Sequence, residues 1–197
     1  ALPLLAQASI TDGTLTMQSV TQYLFWVVTV AMGAGAVFFM AERNNVPPQY
    51  RSVLTVGSLI CGVAAFHYFR MSTTFASGEF PTEYRYIDWL ITTPLLLVKF
   101  PLLLNLKEKA TGILTGLVLL DVGMIVTAYI AEVSPVGGAN WWIFFLIACV
   151  FEAAIVGVLY ITMGKVIDEA PAPISQSAKR MRLFVLIGWA IYPVGFL

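Results

Sequence analysis

The chain has 197 residues, 59% of them hydrophobic and 11% charged, with 11 basic side chains balancing 11 acidic ones and a mean hydropathy of +0.84. That composition excludes a water-soluble globular domain and asks for an all-α transmembrane helical bundle. A net charge of zero offers no basic surface, so nucleic acid is excluded as a partner and the lipid bilayer takes its place.

Residues 1–18 read as an external N-terminal segment, either the tail of a processed signal peptide with a polar spacer or an ordinary irregular terminus. Residues 19–197 form the bundle, in which six apolar segments can be followed. The first runs from about Ser19 to Ala41 and stops at Glu42-Arg43-Asn-Asn-Val-Pro-Pro, since two prolines cannot continue a helix. The second, about Tyr50 to Met71, carries His67 and is followed by a polar connector from Ser72 to Pro81. The third spans about Thr82 to Leu104 and ends in the charged turn Asn105-Leu-Lys-Glu-Lys109. The fourth covers about Gly112 to Ile130, and its Gly112 and Gly116 form a GxxxG pattern expected at a close helix contact. The fifth runs from Trp141 to Met163 and the sixth from Lys179 to Leu197, joined by the proline-rich loop Asp168-Glu-Ala-Pro-Ala-Pro-Ile. Cys61 and Cys149 lack metal-site or disulfide-framework spacing and read as packing residues, while a single histidine rules out bis-histidine haem ligation.

Basic residues gather after segments one, three and five: Arg43, Arg51, Lys107, Lys109, Lys165, Lys179, Arg180 and Arg182. Little beyond Arg70 lies on the other side. The positive-inside rule therefore predicts an external N-terminus and odd-numbered segments that run inward.

The third segment holds the chemistry. Arg85, Asp88 and Lys99 lie in a run otherwise apolar enough to span, and an ionisable residue at that depth is a functional-site candidate by default. Asp88 and Thr92 fall on one helix face, with Lys99 about 16 Å further along by helical rise. Orientation puts Asp88 in the outer half, Lys99 in the inner half, and His67 at about the depth of Asp88. For that histidine, pairing with the carboxylate and a bond to a backbone carbonyl are both open. Around Lys99, the residues at i−4, i−3, i+3 and i+4 are Leu95, Leu96, Leu102 and Leu103, so its own helix supplies no anion. The amine is expected to rest neutral, or beside a water-filled inlet, and to carry a proton transiently.

Arg85-Tyr-Ile-Asp-Trp-Leu-Ile-Thr-Thr-Pro-Leu-Leu resembles the third helix of the microbial (type 1) rhodopsins, specifically the proteorhodopsin-like proton pumps. Gly188-Trp-Ala-Ile-Tyr-Pro-Val-Gly195 resembles their sixth helix and Ala64-Ala-Phe-His-Tyr68 their second. The Asp–Thr–Lys triplet is similar to the subgroup with lysine at the proton-donor position. The resemblance implies a light-driven outward proton pump, a transporter rather than an enzyme, located in the cell inner membrane as a multi-pass protein and a homo-oligomer, with retinal as cofactor. It implies Asp88 as Schiff-base counterion and proton acceptor, Thr92 as its hydroxyl partner and Lys99 as cytoplasmic-side donor. Arg85 would be the gating cation toward the exit and His67 the partner of Asp88. Trp89, Thr92, Trp189, Tyr192 and Pro193 would wall the retinal, and Leu96 would occupy the colour-tuning position, implying green absorption.

The family's seventh helix carries the retinal lysine, whereas this sequence stops at the sixth; a truncated or split chain is expected, with a further segment or second chain supplying the seventh. Lys99 is too far from Asp88 to serve as the attachment site. Glu152 stands in mid-helix where relatives tend to have an aromatic near the ionone ring; it is expected to be protonated, to face a neighbouring subunit, or to border an opening. Two other functions fit the ionisable residues: a photosensor signalling to a partner, which leaves Lys99 unexplained, and a non-photochemical carrier using Asp88 as a coupling-ion site.

Overall fold

Residues 16–106 and 110–197 are described by the computed structural model, and among them every regular element is helical. The expectations for residues 1–15 and for Lys107 and Lys109 lie outside the described residues. Helix α1 (Met17–Glu42) opens at Thr16, whose Oγ1 accepts the Ser19 amide at 3.1 Å and satisfies one of the donors a helix start leaves unpaired. Two single 3-10 turns, Arg43–Asn45 and Pro48–Tyr50, carry the chain round the two prolines into α2 (Arg51–Ala76).

Helix α2 extends through the first half of the stretch expected to be a polar connector. Its polar side chains find partners that keep it wound: Ser72 is fully buried, and its Oγ accepts the Gln22 side-chain amide at 2.8 Å. The helix stops at Gly78, whose φ of 92° suits a residue without Cβ, with Glu79 N–H reaching back to the Thr74 carbonyl. Helix α3 (Thr82–Leu103) runs through Pro94 and Pro101 and closes the same way, with Asn105 at φ 51° and Leu106 N–H on the Pro101 carbonyl.

Helix α4 (Ala110–Glu132) leads to α5 (Ala139–Gly157), which passes into one π turn over Val158–Thr162, where the Met163 amide reaches the Val158 carbonyl at 2.9 Å. A short α6 (Gly164–Glu169) and a long α7 (Ala172–Phe196) follow. The proline-rich stretch is thus mostly helical: Pro173 sits in the first turn of α7, where the missing N–H has no partner to lose. Among the described residues, five helical stretches are long and apolar enough to cross a membrane: Met17–Asn45, Pro48–Ala76, Thr82–Leu103, Thr111–Glu132 and Ala139–Thr162. The sixth expected span, α7, has 25 residues, but Lys179, Arg180 and Arg182 occupy its first half and leave only the second half continuously apolar.

The helices pack in sequence order, α1 on α2, α2 on α3, α3 on α4 and α4 on α5, and α7 rests on both α5 and α3. Leu97 and Phe100 of α3 are fully buried among Leu117 of α4, Ile155 of α5 and Val185 of α7. Helix α1 stands outside this core and buries no residue, presenting Val30, Val37 and Phe38 outward as a lipid-facing surface requires. It lies close on α2: a Cβ on Gly35 would come within 3.3 Å of Cys61 Sγ, and Ser58 Oγ donates to the Ala36 carbonyl at 2.8 Å. The GxxxG expectation is corrected, because a Cβ on Gly112 or Gly116 would meet nothing within 4 Å. The tight glycine of α4 is Gly123, where a Cβ would lie 2.8 Å from Phe151 Cζ of α5.

Candidate functional site

Two neighbouring stripes of α3 divide its work. Successive residues turn by 100°, so positions 88, 92, 95 and 99 line one face and 85, 89, 93, 96 and 100 the next. The first stripe turns toward α2 and α1. Asp88 is 3% exposed and Thr92 7%, and His67 of α2, at 8%, brings Nδ1 to 3.2 Å from Asp88 Oδ1. The same Nδ1 lies 3.0 Å from the Val63 carbonyl. A carbonyl only accepts, so Nδ1 carries the hydrogen, and both alternatives open from the sequence meet at one nitrogen. That hydrogen aligns with the carbonyl and leaves Asp88 Oδ1 without an aligned donor.

Thr92 does not hydrogen-bond the carboxylate, as the resemblance implied. Its Oγ1 donates to the Asp88 main-chain carbonyl at 2.8 Å, the back-bond that helical threonines commonly make. Lys99, at the other end of the stripe, places Nζ 5.8 Å from the centre of the Phe39 ring of α1.

The second stripe faces a cavity of about 700 Å³ lined by α3, α4, α5 and α7. Arg85, Trp89 and Leu96 line it from α3, and Trp189, Tyr192 and Pro193 from α7. The Trp89 and Tyr192 rings meet edge to face with centres 4.8 Å apart. Of the residues expected at the cofactor, Thr92 is the one that does not line this space. Thr93 does, because one residue of helix rotation turns the other hydroxyl inward. Asp88 also stays off the lining, although Arg85 and Trp89, on either side of it along the helix, are both on it. Glu152 lines the cavity from α5.

Residues not singled out from sequence complete the site. Asp121 of α4 is fully buried, and its Oδ2 lies 2.8 Å from Thr93 Oγ1, which is also 2.7 Å from the Trp89 carbonyl. One hydroxyl carries one proton and cannot serve both acceptors, so both contacts are hydrogen bonds only when Asp121 brings a proton of its own. The signal for Asp121 was its place in Leu119-Leu120-Asp121-Val122, a lone acid in an apolar run. At the far end of the cavity, Arg85 is 3.2 Å from Glu132 Oε1. Its guanidinium stands over the rings of Phe80, Tyr86 and Trp89 at 5.2, 5.9 and 5.4 Å. Glu132 closes the fourth apolar run, a position that reads from sequence only as a helix end.

The chain that carries this buried acid–imidazole pair, caged arginine and aromatic-walled cavity is similar to known proteins. Residues 19–197 match the family model described as bacteriorhodopsin-like protein. A green-light absorbing proteorhodopsin from a gamma-proteobacterium is 36% identical over the whole of this chain and 78% of its own length. Among solved structures, the rhodopsin of Exiguobacterium sibiricum superposes with a TM-score of 0.82 at 49% identity, covering 90% of this chain and 79% of its own. Xanthorhodopsin, described as a light-driven ion pump with dual chromophore, superposes with a TM-score of 0.84 at 29% identity over 91% of this chain and 78% of its own. With the helical order, the cavity and these likenesses in agreement, the chain belongs to the bacteriorhodopsin-like family, the microbial type 1 rhodopsins, and is a multi-pass membrane protein.

Proposed function

We propose that this chain is a light-driven outward proton pump that uses retinal, with Asp88 as proton acceptor and Lys99 as cytoplasmic-side donor. The observation that carries the reading is the division of α3 into two adjacent stripes, one bearing Asp88 and Lys99 and the other walling the cavity. Pump activity is named for xanthorhodopsin, to which the chain is similar over most of its length.

The cavity fits retinal. It lies within the roughly 300–1,000 Å³ usual for small-molecule sites, and Trp89, Trp189 and Tyr192 offer flat faces to a rigid polyene. Asp88, off the lining but next to Trp89 on α3, has a buried Oδ1 without an aligned donor and would serve as the anion for the cofactor's cationic end. Bound there, retinal would supply light absorption and a light-driven change in proton affinity. Its attachment lysine would belong to a seventh helix, as in the family the chain resembles; Lys99 lies against Phe39 on the α1 side and does not line the cavity.

The chain's own residues account for the direction of travel. Asp88 Oδ1 would hold the proton on the outer side, with His67 Nδ1–H beside it. Arg85, held between Glu132 and three aromatic rings, would stand as the cation between that carboxylate and the outer end. Lys99 Nζ would collect a proton from the basic, cytoplasmic end and pass it outward. Inner-membrane placement, an external N-terminus and a homo-oligomer complete the reading.

The test uses the full-length, retinal-bound protein. Asp88→Asn should move absorption to longer wavelength and abolish light-driven acidification of the medium, and acidification at the wild-type rate would refute the acceptor. Lys99→Ala should slow the late proton-uptake phase of the photocycle roughly 100-fold or more while leaving the early phase nearly unchanged. An unchanged late phase would make Lys99 a residue that merely reaches for the membrane surface.

A further inference from the structure

Lys99 has no anion. Among the described residues no carboxylate pairs with it, and the leucines one turn away along α3 are apolar. What it has instead is a ring face: Nζ lies 5.8 Å from the Phe39 centroid, within the roughly 6 Å at which a ring quadrupole attracts a cation. We propose that Phe39 is a positioning residue for the donor, holding the Lys99 ammonium at the inner end of the α3 stripe and favouring the charged over the neutral amine while the proton is in transit. The proposal rests on Lys99 being the donor.

The ring is held for this task from both sides. Three residues before it, the Ala36 carbonyl accepts Ser58 Oγ at 2.8 Å; four residues after it, Arg43 Nε donates to Thr55 Oγ1 at 2.9 Å. Between these two ties α2 presents Gly57, where a Cβ would stand 3.4 Å from Phe39 Cδ2. The missing side chain leaves the space in which the ring lies between α2 and the amine. Among the described residues the groups that could compete for the charge are few. Cys61 of α2 is the titratable neighbour of the amine, and Arg43 of α1 is tied to Thr55. A ring quadrupole attracts the charged amine without fixing the proton as a carboxylate would. A donor must release its proton as well as take it, so the weaker partner suits the role.

The experiment compares Phe39→Leu with Phe39→Trp in the full-length, retinal-bound protein; leucine keeps apolar bulk without a π face, and tryptophan keeps the face. The first readout is the ¹⁵N resonance of the Lys99 side chain in the dark, identified by its loss in Lys99→Ala and followed with pH. In Phe39→Leu the ammonium should give way to the amine at a pH lower by about half a unit to one unit, a three- to ten-fold change in the protonation constant, whereas Phe39→Trp should titrate as the wild type. The second readout is the late proton-uptake phase, which should slow about three- to ten-fold in Phe39→Leu alone. Equal titration in Phe39→Leu and wild type would overturn the ring's role, as would equal slowing in Phe39→Leu and Phe39→Trp, which would show packing alone. A shifted titration together with wild-type kinetics in Lys99→Ala would overturn the donor reading itself, and with it the ring's part in proton transfer.

Discussion

At His67 one N–H faces two acceptors, the Val63 carbonyl at 3.0 Å and Asp88 Oδ1 at 3.2 Å. Swinging toward the carboxylate costs only a small ring rotation, so the imidazole is placed to steady the anion. His67→Asn should therefore raise the pH at which the absorption band reddens, by roughly one unit or more, since a polarised imidazole is lost from beside the acid. A spectral titration identical to the wild type would leave His67 as a residue satisfied by its own helix. Thr93 carries a different load, because it is the side-chain partner of a fully buried acid whose Oδ1 is already unsatisfied. Thr93→Val strips Asp121 of its remaining bond and should cost about 1–3 kcal/mol, read from unfolding in detergent; Thr93→Ser should recover most of it. Asp88, Lys99 and His67 were legible in the sequence because a titratable group in an apolar run has few structural excuses. Choosing between Thr92 and Thr93 was not legible. The two adjacent hydroxyls differ only by the 100° that decides which one meets the cavity, and that rotation is fixed by Leu97 and Phe100 packing against α4, α5 and α7.

At the scale of elements, spacing and contact part company. Gly112 and Gly116 have the pattern of a close helix contact and open space beside them, whereas Gly123, outside any pattern, lies under the Phe151 ring. Gly116→Ala should be neutral or stabilising by about 0.5–1 kcal/mol through backbone entropy alone. Gly123→Leu should force Phe151 aside and separate α4 from α5, costing about 1–3 kcal/mol by overpacking. Thermal unfolding of the two variants decides between pattern and contact; equal effects would discredit the assignment. The α6–α7 corner adds a pH dependence. Asp168 bonds Lys179 at 2.7 Å, and that hydrogen bond and charge hold its carboxyl below the ordinary carboxylate range. Because the folded state lowers this group's pKa, its contribution is present at neutral pH and fades as acid carries the pH down through the folded value. The pair is exposed, so Asp168→Asn should lower the unfolding midpoint slightly at neutral pH and low salt, and the difference should vanish in acid and in high salt.

The whole molecule is polar along its axis. Arg43, Arg51, Lys165, Lys179, Arg180 and Arg182 mark one end, while Glu79, Glu83 and Glu132 with Arg70 and Arg85 mark the other. The order of the apolar segments and the charged ends were legible from sequence, because they follow from hydropathy and composition; the break into α6 and α7 was not. The cavity was not, since it depends on α7 crossing back to α3 after four helices packed in sequence order. In the proposed pump, charge asymmetry predicts more than insertion: it would decide which mouth of the proton path lies nearer Lys99 and which nearer Asp88. Only one orientation makes outward pumping consistent with Asp88 as acceptor and Lys99 as donor. In a Cys61→Ser, Cys149→Ser background, a cysteine placed at Ser77, in the turn before α3, should react in intact cells with a membrane-impermeant maleimide. A cysteine placed at Asn45, in the turn after α1, should react only after permeabilisation. The same cells should acidify the medium in light. Reversed labelling with acidification retained would break the link between charge and topology. Reversed labelling with alkalinisation would instead keep the path through α3 and show the molecule inserted the other way round.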